Sequence, residues 1–161
     1  MNKKFKFFKA KNKDLKFIYN LYNIGVTEGF FKNKKKVSFA SHKIWFKKVI
    51  SRNKIFIFVC VKGTTKIGYI KYNKISKNIS SISIIFKTNF RKNNLSSYFL
   101  QKTLQNLKKS TVITKVYAEV LKSNKRSQKF FANNKFVLKR KNKFINSYFD
   151  KKNLIYCFKN E

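Results

Sequence analysis

Side chains able to move a proton are scarce in this chain. It has five carboxylates, Asp14, Glu28, Glu119, Asp150 and Glu161, and a single histidine, His42. His42 has the pKa class suited to base work near neutral pH, although a helical histidine beside Trp45 also serves well as a packing residue. Asp14 stands where a helix begins and reads as a cap, Asp150 lies in a basic loop, and Glu161 is the last residue. Cys60 and Cys157 sit in apolar, strand-like runs and match neither a disulfide framework nor a zinc-ligand spacing, so no metal is expected. The other feature with chemical meaning is a joint. Ile82, Ile84 and Phe86 alternate with Ser81 and Ser83 as a strand. Thr88 to Asn94 (TNFRKNN) is a polar loop, and Leu95 to Lys109 is a helix with Leu100, Leu104 and Leu107 on one face. A loop that follows a strand and opens a helix presents successive backbone N–H groups to an anion, aided by the helix dipole. The plain alternative is a strand–loop–helix connection with a basic rim.

Composition bounds what can surround these groups. With 161 residues, 43% of them hydrophobic and 17% aromatic, the chain suits one ordinary domain with its own core. It is far too apolar for a disordered basic tail. The 40 Lys+Arg against 5 Asp+Glu give a formal charge of +35, which attracts polyanions whatever the fold. Only Arg52, Arg91, Arg126 and Arg140 are arginines, Pro is absent, and Lys, Asn, Ile and Phe abound. These are the residues of AT-rich codons, so genome bias explains the swing without selection for a partner. Arginine forks, which a phosphate-reading surface favours, are rare. Nucleic acid is therefore expected only as a non-specific partner. The longest apolar run, Ile55 to Val61, has the length of a strand, and the N-terminal lysines precede no apolar segment. A cytoplasmic protein without a signal peptide or membrane insertion is expected.

With so little Gly and no Pro, periodicity carries the reading of the elements. Phe5 to Phe8 is a short strand. Asp14 caps a helix to about Tyr22, with Leu15, Ile18, Tyr19 and Tyr22 on one face. Lys32 to Lys36 is a charged loop, and Ser41 caps a helix that turns Ile44, Trp45 and Val49 inward. Ile55 to Val61 reads as a buried strand, Lys62 to Lys66 as a turn, and Ile67 to Tyr72 as its hairpin partner. Val112 to Leu121 alternates as a strand, Ser123 or Asn124 caps a helix to about Asn133, and Phe136 to Lys141 and Leu154 to Phe158 close as strands. This is an α/β layout in one domain spanning 1–161.

The stretches SISIIFKTNFRKNNLSSYFLQKTL and VYAEVLKSNKRSQKFFANNKF resemble the GCN5-related N-acetyltransferase (GNAT) family. Its phosphate loop runs Arg/Gln-x-x-Gly-x-Gly/Ala; here Arg91 opens it, with Asn94 and Ser96 in the small-residue positions. A second signature maps onto Asn124, Ser127, Phe131 and Phe136. Upstream, SHKIWFKKVI with His42, Trp45 and Phe46, followed by Lys66-Ile67-Gly68, resembles the branch that acetylates nucleotide-linked amino sugars in surface-glycan synthesis, the pseudaminic-acid pathway type. The likeness covers roughly residues 14 to 141.

The resemblance implies a mixed, mostly antiparallel sheet flanked by helices, with splayed central strands, and acetyl-CoA as cosubstrate. It implies that Ile84, Ile85 and Phe86 present backbone to the thioester, with a backbone N–H near Ile85 polarising its carbonyl. Arg91, Lys92, Asn93, Asn94, Leu95, Ser96 and Ser97 would cradle the pyrophosphate, and Asn124, Ser127 and Phe131 complete the cofactor site. Where the family carries Gly, Asn94 is the best-tolerated substitute, since Asn enters the left-handed region more readily than most residues. Many members use a Tyr at the position of Phe131 as the acid for the leaving thiolate. Phe131 has no proton to give, and Tyr117 or Tyr148 are the substitutes. Glu119, on the strand beside the expected thioester, and His42 are the candidate bases; a strand-face carboxylate paired with lysine is the alternative for Glu119. Glu28 is placed near the acceptor pocket. The implied activity is acetyl transfer to a primary amine, preferably on a nucleotide amino sugar, and a homodimer is compatible with it. The alternatives are acetylation of a protein N-terminus or another small amine, and a non-catalytic basic nucleic-acid-binding domain.

Overall fold

The computed structural model describes residues 5–31, 34–52, 54–91 and 94–159. The strands are β1 (Phe5–Lys9), β2 (Ile55–Lys62), β3 (Thr65–Lys74), β4 (Ile79–Phe86), β5 (Lys115–Val120), β6 (Val137–Leu138) and β7 (Leu154–Lys159). The helices are α1 (Leu15–Thr27), α2 (Phe39–Ile50), α3 (Leu95–Ser110), α4 (Lys125–Asn133) and α5 (Lys143–Tyr148). The strands follow the hydrogen-bonding order β1-β2-β3-β4-β5-β7-β6. This is the expected α/β class, a mostly antiparallel seven-stranded sheet with flanking helices. The chain forms two compact units, Met1–Tyr72 with Ser83–Thr103, and Asn73–Ile82 with Leu104–Glu161.

In the first unit β1 runs antiparallel to β2, from Phe5↔Lys62 to Lys9↔Phe58. β2 turns into β3 through Gly63-Thr64, a two-residue loop that needs φ > 0, and Gly63 stands at φ 60. Ile18 and Leu21 of α1 and Phe46 and Val49 of α2 pack against Ile57, Val59, Tyr69 and Ile85 of the strands. Each fully buried apolar side chain there contributes roughly 1.5–3 kcal/mol of transfer free energy. A buried pair of hydroxyls adds specificity: Tyr72 Oη lies 2.9 Å from Thr103 Oγ1, which donates to the Phe99 carbonyl at 2.9 Å.

In the second unit the first half of β4 lies parallel to β5, from Ile79↔Lys115 to Ile82↔Ala118, where the register ends although β4 runs on to Phe86. β5 pairs antiparallel with β7 from Lys115↔Lys159 to Val120↔Leu154, and β6 adds two residues to β7. Tyr117, Ile155 and Cys157 of these strands pack on Ile145 of α5 and on Phe149.

Several expectations need correction. Asp14 does not bond the first turn of α1; its Oδ2 accepts from Lys11 N at 2.9 Å, its Oδ1 meets Lys66 Nζ at 2.6 Å, and it is fully buried. The cap of α2 is Ser38, whose hydroxyl accepts from Ser41 N at 3.2 Å. The buried stripe of that helix is His42, Phe46 and Val49, whereas Ile44 is 71% exposed. Helix α1 continues to Thr27, the strand expected over Phe136 to Lys141 shrinks to Val137–Leu138, and α5 forms where no element is expected. Part of the loop over Lys32 to Lys36 lies outside the described residues.

Candidate functional site

The strand that must carry the chemistry changes face midway. Ser80 and Ile82 are buried, and after Ser83 and Ile84 the buried positions become Ile85 and Phe86. The second half of the strand lies close against β3. Gly68 of β3 allows the close approach. A Cβ there would meet the Phe86 ring at 2.5 Å and the Ile85 carbonyl oxygen at 2.7 Å. The strand end is then pinned by Lys87 N donating to Ile67 O at 2.8 Å.

Beyond it, Thr88–Phe90 makes a 3-10 turn, and Asn94 stands at φ 57 before Tyr98 N bonds its carbonyl at 2.9 Å and α3 begins. Asn94 thus adopts the backbone conformation for which glycine is ordinarily chosen. First-turn amides such as those of Leu95 and Ser96 lie outside a helix's own ladder and point out of its N-terminus, where the dipole of a sixteen-residue helix favours an anion. Lys92 and Asn93 lie outside the described residues; Ser97 belongs to the same first turn. The residues present therefore fit a pyrophosphate held by backbone.

Arg91 is also tied to the protein around it. Its Nε donates to the Phe86 carbonyl at 2.6 Å, its Nη2 meets Glu28 Oε2 at 2.5 Å, and its guanidinium lies 4.7 Å from the Phe30 ring centroid. Glu28 Oε1 also accepts from Thr88 Oγ1 at 3.2 Å. The partners are delivered by the end of α1: Gly29 at φ 72 lets Gly29 N bond Val26 O and Phe30 N bond Gly25 O, the two hydrogen bonds of a Schellman cap. Glu28 and Phe30 flank that glycine. The expectation that Glu28 lies near the acceptor pocket thus meets a different fact, its pairing with Arg91.

His42 is buried among rings of Tyr19, Tyr22, Trp45 and Phe46, with centroids 4.9–6.3 Å away. Its Nε2 has no hydrogen-bond partner among the described residues. Burial, with the nearby Lys71 ammonium, holds its pKa below the usual imidazole value, so the ring is neutral at physiological pH. Lys71 Nζ lies 5.4 Å from the Trp45 ring centroid, its pKa is also lowered by burial, and no carboxylate among the described residues pairs with it. Lys71 went unnoticed in sequence because one lysine among so many carries no signal. Only its place in the buried run Tyr69 to Tyr72 distinguishes it.

On the second unit, Asn124 caps α4, its Oδ1 accepting from Ser127 N at 3.0 Å. Phe131 packs against Phe130, Phe136 and Tyr156, and Phe136 N donates to its carbonyl at 3.0 Å. Glu119 is exposed on β5, and its Oε1 accepts from Asp150 N at 2.9 Å and Asn153 Nδ2 at 2.8 Å, anchoring the turn before β7. Among the described residues no lysine forms an ion pair with it. Tyr117 is buried, and burial pushes its phenol up, away from use as an acid; Tyr148 is 53% exposed. Among the described residues no group of three His, Cys, Asp or Glu could hold a metal, and no helix is long and apolar enough to cross a membrane.

The fold is an open, mostly antiparallel sheet with flanking helices, and a strand, a loop and a helix meet at Asn94. Residues 7–137 match the acetyltransferase (GNAT) domain, and the chain belongs to the GNAT acetyltransferase family. It is an acyltransferase of the acetyl-CoA-dependent N-acetyltransferase class. The fold is similar to that of yncA from Salmonella typhimurium, an acetyltransferase by description, solved with acetyl-CoA; identity is 12%, the match covers 98% of this chain and 94% of that one, and the TM-score is 0.78. It is also similar to a variant of the spermidine N-acetyltransferase SpeG from Vibrio cholerae, at 18% identity, 99% and 95% coverage and TM-score 0.79. The Campylobacter jejuni N-acetyltransferase PseH is similar at 18% identity, 98% and 99% coverage and TM-score 0.71. No curated protein matches the sequence.

Proposed function

We propose that the acceptor is an amine carried on an anionic scaffold, in the first place a nucleotide-diphosphate-linked amino sugar, and that the chain works as one cytoplasmic domain over 1–161. The observation that carries this is Lys71. A half-buried ammonium on the Trp45 ring, without a carboxylate partner and beside a neutral histidine, is an environment that an anionic substrate improves. The balance of charges argues the same way. Polyamine acceptors are polycations, and this chain offers them a formal charge of +35. Asp14, Glu28, Glu119 and Asp150 are each already engaged by a cation or a backbone amide.

Acetyl-CoA, when bound, supplies an activated acetyl thioester. The α3 end of the loop, Asn94 to Ser97, holds its pyrophosphate by backbone amides, and a backbone N–H near Ile85 donates to the thioester oxygen as charge develops. Asn124 and Ser127 belong to the same proposal as contacts of the pantetheine arm. His42, neutral and with its Nε2 uncommitted, takes the proton from the acceptor's ammonium; as the free amine bonds the acetyl carbon the C–S bond breaks, and the second amine proton goes to the departing CoA thiolate through solvent. Glu119 is the second candidate, already holding Asp150 and Asn153.

The test is a steady-state acceptor panel at moderate salt: a nucleotide amino sugar, the same sugar without nucleotide, spermidine and a peptide N-terminus. The nucleotide-linked amine should give the highest kcat/KM, and Lys71→Met should erase its advantage over the free sugar. Preference for spermidine or the peptide, or no transfer with nucleic acid retained at high salt, overturns the proposal.

A further inference from the structure

In a loop that cradles a coenzyme, an arginine would ordinarily be read as an anion ligand. Here the side chain is 11% exposed, and three of its contacts face inward: the Phe86 carbonyl, the Glu28 carboxylate and the Phe30 ring. Glu28 in turn holds Thr88, so residues 86 to 91 are closed into a ring by side chains, with the Schellman turn at Gly29 as its outer wall. Phe86 ends the strand whose preceding amide would polarise the thioester, and Thr88 and Arg91 precede Asn94 in the chain.

We infer that Glu28 is a positioning residue for acetyl-CoA: acting through Arg91 and Thr88, it sets the strand end and the loop, while Arg91 serves as an internal brace and not as a phosphate ligand. A charge-assisted hydrogen bond and a close ion pair on one largely buried guanidinium are stronger than neutral contacts, so they hold residues 86 to 91 in place. The inference rests on the loop being the acetyl-CoA cradle.

A direct phosphate ligand and an internal brace predict opposite signs. If Arg91 bound phosphate, Glu28 would compete for it, and Glu28→Gln would lower the KM for acetyl-CoA. As a brace, Arg91 needs Glu28, so Glu28→Gln and Arg91→Gln should each raise that KM by roughly tenfold, the loss of about one charge-assisted hydrogen bond. The acceptor KM should stay within about twofold. The double variant should be no worse than the weaker single, because both remove one unit. Glu28→Asp should recover part of the loss, and Thr88→Val, a gentler change, should raise the KM in the same direction.

Asn94→Trp, which crowds the anion end of the turn, separates the two levels. If it leaves the acetyl-CoA KM unchanged, the loop is not the cradle. If it raises the KM while Glu28→Gln and Thr88→Val do not, the cradle stands and the brace is overturned. A lowered KM in Glu28→Gln overturns it outright. Should Glu28→Gln not fold, Thr88→Val and Glu28→Asp report on the same ring.

Discussion

Asn94 offers the sharpest calculation. At φ 57 it holds a conformation that costs most L residues about 1–2 kcal/mol, that asparagine tolerates, and that glycine adopts freely. Asn94→Val therefore adds roughly 1–2 kcal/mol to forming the turn that opens α3, and Asn94→Gly adds none. If the unliganded protein keeps the turn, the penalty appears as lost stability, about 2–8 °C in Tm at roughly 2–4 °C per kcal/mol for a chain of this size. If the valine variant relaxes the loop instead, the penalty is taken on binding and weakens acetyl-CoA by about 5–30-fold. Calorimetric titration of acetyl-CoA, run beside a melting curve on each variant, captures both routes. The ranking should be glycine at least equal to wild type and both well above valine in the combined penalty. A valine variant that melts and binds like wild type, or a glycine variant worse than valine, refutes the argument.

Other variants probe separate parts. Gly29→Ala meets nothing within 4 Å, so its cost is conformational alone, about 1 kcal/mol, read as a Tm lower by about 2–4 °C. Thr103→Val should cost more than Tyr72→Phe, roughly 1–3 against 0.5–1.5 kcal/mol by urea denaturation, because it strands the buried Tyr72 hydroxyl. For His42, the folded pKa lies below the unfolded value of 6.5. The unfolded chain therefore binds more protons as pH falls through 6.5, and His42 costs stability there. His42→Gln should flatten that acid limb of stability, and the acid limb of kcat/KM, whose midpoint in wild type should lie below 6.5.

How much was legible in the sequence can be seen residue by residue. The joint from Ile82 to Leu95 was legible because its punctuation is chemical: alternation, then polar residues, then leucines at helical spacing. Even the backbone conformation at Asn94 followed, since few other residues accept it. The inward face of α2 was misread because a period drawn from apolar residues alone favours Ile44, while the buried stripe runs through a histidine. Ser41 is the cap expected for α2, but the cap is Ser38, beside Val37, whose backbone exchanges bonds of 3.1 Å with the Asn23 side chain, a contact fourteen residues away that leaves no local signal. Neither α5 nor the Arg91–Glu28 pair leaves a local mark. The first is six residues stabilised by packing on Tyr117, and the second joins residues sixty-three apart in the chain.

Four of the five carboxylates also bear on which positions can change. Surface acids are usually among the most replaceable residues, since one water-facing charge does much the same as another. Here Asp14 ties a turn to Lys66, Glu28 ties a helix end to Arg91, Glu119 ties a strand to the turn before β7, and Asp150 closes that turn through Lys152 N. Each negative charge is a fastener, and almost every lysine around it is interchangeable. In a library of all single substitutions the familiar pattern should invert, with tolerance spread over the basic exterior and intolerance concentrated at a handful of acidic points. A lineage under pressure toward lysine codons would drift freely across its surface and still be unable to give these up.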